Sequence, residues 1–111
     1  MANWIVNYVN FKDVDDFSKA TSYLDSRTNN GEFDRSCFDM DYKVDKNQVE
    51  FVSHWQANFE LPIELGCELK IDIKYDYFNT ATYESGTIYL EKGEPIIFRF
   101  WDETGKESKS E

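Results

Sequence analysis

Leu69-Lys70-Ile71-Asp72-Ile73-Lys74-Tyr75-Asp76-Tyr77 is the stretch that decides the fold. Apolar and charged residues alternate through it without a break, a period of two that puts one face of a strand on a core and the other in water. Working outward, Asn79-Thr80-Ala81-Thr82 turns the chain and Tyr83 to Leu90 returns, with Ser85-Gly86 expected as a bulge or kink. Glu91-Lys92-Gly93-Glu94 turns it again, and Ile96 to Trp101 makes a last strand. Upstream, Phe38, Met40, Tyr42 and Val44 alternate with Asp39, Asp41, Lys43 and Asp45. After the turn Asp45-Lys46-Asn47-Gln48, the residues Val49, Phe51, Ser53 and Trp55 return on the same apolar face, so the two runs read as a hairpin.

Between these blocks, residues 57–68 hold both Pro62 and Gly66, which leaves room for about one helical turn. At the start, Trp4 to Phe11 is a β-rich run with apolar side chains on both faces, expected to be covered on both sides. Asp13 then caps a helix of about 12 to 14 residues that lies on the sheet through Phe17, Ala20 and Leu24, with Asp15 and Asp16 at the positive end of its dipole. Thr28-Asn29-Asn30-Gly31 breaks it, making residues 26–36 a loop. The sum is an α+β domain over residues 1–101, an antiparallel sheet of five to six strands with one main helix and a truncated second, followed by a polar tail at 102–111.

Composition narrows the function. The 111 residues suffice for one domain, and 41% hydrophobic content with nine Phe, seven Tyr and three Trp demands a packed core. Twelve basic residues against 22 acidic ones give a net charge of −10, so a phosphate backbone is repelled and direct nucleic-acid binding is disfavoured. No apolar run is long enough for a membrane helix, and the opening MANWIVNYVNF lacks the n- and h-regions of a secretory signal. A soluble protein of the host-cell cytoplasm is expected. Cys37 and Cys67 lie outside any CxxC pattern and read as small buried hydrophobes in a reducing compartment.

The order of elements looks like a ferredoxin-like fold with its second helix cut down and its sheet lengthened. Met1-Ala2-Asn3-Trp4 with Asn7, the run Val49 to Trp55, and Tyr75-x-Tyr77-Phe78 followed by Ser85-Gly86 resemble the YubB-type ferredoxin-like family of phage and plasmid proteins over residues 1–94. That resemblance implies a fold and a mobile-element origin, and it carries no catalytic residues.

Chemistry is sparse. His54 is the only histidine, on the polar face of its strand with Glu50. Residues 39–50 trace the outline of a calcium loop but place Lys43 where a ligand is needed and Val44 where the turn needs Gly, so no metal or other cofactor is expected. The acids carry more information. Glu60, Glu64 and Glu68 have no basic neighbour within 57–68, and Asp39, Asp41, Asp72 and Asp76 line the polar sides of two strands. The expected function is therefore that of a non-enzymatic protein binding a host protein through these seven acids, in the manner of an inhibitor that mimics nucleic acid before a basic, nucleic-acid-handling complex such as a nuclease-based defence. Two competitors stand beside it: a small enzyme or ligand-binding module built on His54, and a homodimeric accessory protein.

Overall fold

Asp13 opens the first helix as its place in the sequence requires. Its carboxylate accepts the Asp16 backbone N–H at 2.9 Å, satisfying one of the donors that a helix start leaves without a partner. The structure, a computed structural model, describes residues 4–29, 38–54 and 56–108. The elements are β1 (Trp4–Phe11), α1 (Val14–Asn29), β2 (Phe38–Lys43), β3 (Gln48–His54), α2 (Glu60–Leu69), β4 (Ile73–Asn79), β5 (Ser85–Glu91), β6 (Glu94–Trp101) and the two-residue β7 (Glu107–Ser108). The strands form one sheet in the order β2-β3-β1-β4-β5-β6-β7 with every neighbouring pair antiparallel. It follows that β1 and β2 are parallel across β3 and are joined by α1, while β3 and β4 are parallel across β1 and are joined by α2.

Both helices lie on one face. Phe17, Ala20 and Leu24 of α1, with Leu61 and Leu65 of α2, meet the inward row Val9, Phe11, Val49, Phe51, Ile73, Tyr75, Ile88 and Leu90. The fold is thus α+β, two layers deep, with its core between sheet and helices.

Several expectations are corrected. Residues 57–68 hold more than one turn: α2 is a helix of ten residues. Pro62 falls in its first turn, where a backbone N–H has no intrahelical acceptor and its loss costs nothing. Gly66 faces the β5–β6 turn so closely that a Cβ there would stand 2.5 Å from the Gly93 nitrogen. Leu69 belongs to this helix, and the strand begins only at Ile73, because Lys70 turns into the left-handed conformation at φ 56°. The first helix also runs longer, to Asn29, and shortens the expected loop. Gly86 does not kink β5; the register shift falls at Tyr89/Leu90, and Gly86 instead leaves room for the Tyr77 ring.

Helices cover β1 on one side only: Ile5, Asn7, Val9 and Phe11 point inward and are buried, while Trp4 is exposed on the other face. Residues 102–108 are not a free tail. Asp102 accepts the N–H groups of Thr104 and Lys106, each at 3.0 Å, and β7 then pairs with the end of β6. Cys67 is exposed rather than buried, at the end of α2 that lies beside the Gly93 turn. Cys37, Trp55, Met1-Ala2-Asn3 and the centre of the expected loop fall outside the described residues. Among those described, no helix is long and apolar enough to cross a membrane.

Candidate interaction surface

Three consecutive apolar residues on β6 break the alternation that governs the other strands. Ile96 is 53% exposed, Ile97 49% and Phe98 46%. The hairpin of β5 and β6 extends the sheet beyond the strands that the helices cover, so apolar groups there keep contact with water on both faces. On the helix side this leaves a groove of about 310 Å³. Its floor is Tyr75, Ile88 and Leu90, one wall is Phe59, Pro62 and Ile63 from α2 and its approach, and the other is Pro95, Phe98 and Phe100 from β6. Two contacts hold α2 and its approach against the sheet. At one end Gly66 meets Gly93 backbone to backbone; towards the other, the Phe59 ring stands edge-on to Tyr75 and Tyr77, with centroids 5.7 and 5.9 Å apart.

Helix α2, which supplies that wall through Pro62 and Ile63, carries its acids on the side towards α1. Glu60, Glu64 and Glu68 recur every four residues and form one stripe along the helix. They are not equivalent, however. Glu64 forms an ion pair with Arg27 of α1 and accepts the Tyr23 hydroxyl at 2.6 Å, so its charge is neutralised within the fold. Glu60 and Glu68 are exposed, and Glu60 stands one turn from Ile63 on the groove.

The structure does not bring the four aspartates into one row. Asp39 and Asp41 lie on β2 and Asp76 on β4, three strand spacings or about 14 Å apart. Asp39 sits at the β2 register shift with φ 52°, and Asp41 pairs with Lys43 at 2.7 Å. Asp76 accepts the Asn10 amide at 2.8 Å and the Thr87 hydroxyl, while the Asn10 carbonyl accepts Gln48 at 2.8 Å. This polar ladder ties four strands together on the sheet face away from the helices. Asp72 precedes β4 and accepts the Lys92 N–H at 3.3 Å, steadying the β5–β6 turn.

His54 is half-buried at the end of β3, where its ring stacks on Trp4 with centroids 4.6 Å apart. It lies on the face away from the helices, across the sheet from Cys67 and outside the groove. Among the described residues, no group of three or more His, Cys, Asp or Glu could hold a metal ion. In the sequence, Ile97 and Trp101 already mark the last strand as apolar on both faces and in need of cover, while Pro95, Phe98 and Phe100 emerge as a groove wall only in the fold.

Tyrosines report the electrostatics. Burial, and then a hydrogen bond to Asp25 at 2.8 Å, hold the Tyr42 hydroxyl protonated well above its ordinary value. Burial followed by the nearby charges of Glu50 and Asp76 raises Tyr8, and burial followed by Glu84 raises Tyr77. A raised value means that the folded state keeps a proton the unfolded chain releases. The tyrosines' contribution to stability in urea should therefore be level below the ordinary tyrosine value of 10.0 and decline as pH rises above it. Tyr42→Phe should make that alkaline decline shallower, measured as urea midpoints across the range.

No family model, no curated protein and no solved structure matches the chain.

Proposed function

We propose that this is a non-enzymatic protein that binds another protein, and that its contact surface is the apolar groove together with the exposed acids Glu60 and Glu68 of the helix that supplies one of its walls. The observation that carries this reading is the 310 Å³ groove, lined by aromatic and aliphatic side chains and bordered by a helix whose ten residues hold three acids and no base. An apolar anchor flanked by basic residues is the complement such a surface selects, with the net charge of −10 steering the approach.

The finer reading is that the fold is ferredoxin-like. It is supported by the strand order β4-β1-β3-β2 and by helices that each join two parallel strands across a third, the β5–β6 hairpin being an addition at the β4 edge. Membership of the YubB-type family, carriage by a phage or plasmid, and action in the cytoplasm of its host rest on the resemblance of sequence. Inhibition of a nuclease-based defence is the version of this function that the charge supports, with the basic surface of a nucleic-acid-handling complex as the target.

Capture from a bacterial host lysate tests the surface. Glu60→Lys combined with Glu68→Lys should weaken capture of basic proteins by about tenfold at low salt and flatten its salt dependence. Ile63→Ser, which changes the groove and no charge, should weaken it at every salt concentration. Glu64 is left intact because its reversal would break the tie to α1. Undiminished capture by both variants would sink the proposal.

A further inference from the structure

We infer that β6 pairs with β6 of a second copy of this chain, antiparallel and about a two-fold axis, so that two sheets become one. The edge for this is present. β7 pairs only with Phe100 and Trp101, so the backbone of residues 94–99 has no neighbouring strand on that side among the described residues. An exposed strand edge with apolar side chains is a template for another strand, and proteins that keep such an edge from pairing usually guard it with charge. Here Ile96, Ile97 and Phe98 are left about half exposed in the middle of it. Pro95 removes one donor near the start, and the register shift against β5 makes Ile96 an extra residue, so that Glu94 and Arg99 fall on the same face of the sheet.

Charge chooses the occupant. Residues 85–101 contain two acids, Glu91 and Glu94, and two bases, Lys92 and Arg99, so this hairpin is neutral while the remainder of the chain carries the whole net charge of −10. A basic partner finds its complement on α2 and gains nothing here. A second copy, repelled elsewhere, meets at this edge a neutral hairpin whose nearest further acid, Glu107, is held by Arg99.

The sequence of β6 is also self-complementary in one register. If Glu94 stands opposite Arg99 of the second copy, symmetry sets Arg99 opposite Glu94 of that copy, and both cross-strand pairs form. The same register puts Pro95 against Phe98 and Ile96 against Ile97, covering the three most exposed apolar residues of the strand. Arg99 is already oriented by two hydrogen bonds to Glu107, at 2.8 and 3.0 Å, and by the Trp101 ring, 5.4 Å below its guanidinium. The added strand lies in the plane of the sheet, so α2 stays uncovered; this inference goes beyond the partner-binding reading and does not depend on it.

Sedimentation equilibrium of the full chain provides the test. Apparent mass should rise from 13.1 kDa towards twice that value with concentration. Glu94→Lys and Arg99→Glu should each stay near the monomer mass, because each sets like charges opposite one another. An equimolar mixture of the two should recover association, because both cross-strand pairs then join opposite charges. Ile97→Lys should stay monomeric with unchanged thermal stability, which separates loss of pairing from loss of fold. A wild-type chain that remains monomeric at every concentration, or a mixture that associates no better than its components, overturns the inference, whatever the lysate capture shows.

Discussion

Asn7→Leu is expected to destabilise the fold by about 4 kcal/mol, since several buried polar groups lose their partner at once. Asn7 is fully buried. Its amide donates to the Ser53 hydroxyl at 2.9 Å and to the Ile5 and Phe51 carbonyls at 3.1 and 3.4 Å. Its carbonyl accepts the Asn58 N–H at 3.2 Å and the Tyr75 hydroxyl. One side chain thus joins β1, β3, β4 and the segment that leads into α2, where the Asn58 carbonyl in turn accepts the Leu61 N–H at 3.2 Å. Leucine fills the space but strands these groups without water. A fall in thermal midpoint of about 15 to 25 °C follows for a domain of this size. Tyr75→Phe should cost only about 1 kcal/mol, because the Asn7 carbonyl keeps the Asn58 N–H. Calorimetry on both variants distinguishes a hub from a chain of independent bonds; equal, small losses would refute the hub.

Gly66→Ala should be the second severe change, and its sign is the informative part. In the interior of an exposed helix the substitution stabilises by about 1 kcal/mol. Here the added Cβ would stand 2.5 Å from the nitrogen and 2.8 Å from the Cα of Gly93. Both are backbone atoms of a turn held by β5 and β6, so neither moves aside cheaply, and a loss of about 3 kcal/mol is expected. Gly93→Ala should fail for two reasons, its φ of +91° and the Cys67 atoms it would meet. Since α2 supplies one wall of the groove, displacing it through Gly66→Ala should also weaken partner capture more than the stability loss alone explains. Urea midpoints together with capture at a temperature where the variant is folded check both parts; a stabilised Gly66→Ala would mean that α2 does not sit against the turn.

Local chemistry explains which parts were legible from the residues. The cap at Asp13, the inward row Phe17, Ala20 and Leu24, the two hairpins and the left-handed Asn47 and Gly93 of their turns all depend on neighbours a few positions away. Asn7 looked like a polar break in an apolar strand; only its partners 44 to 68 positions off reveal a hub. Glu64 looked like a free acid for the same reason, its neutralising Arg27 lying on another helix.

The residues by themselves determined the alternation of β2, β3 and β4, the presence of the first helix and the antiparallel hairpins, because these follow from side-chain alternation and backbone preference over short distances. Tertiary structure alone decided that Pro62 and Gly66 stand inside a helix, that α2 supplies one wall of an apolar groove, and that residues 94–99 have no neighbouring strand on one side among the described residues. Pro62 is tolerated because its missing N–H falls in the first turn, and Gly66 is required because another backbone passes over it. Both reasons concern where distant segments come to rest, which no local pattern records.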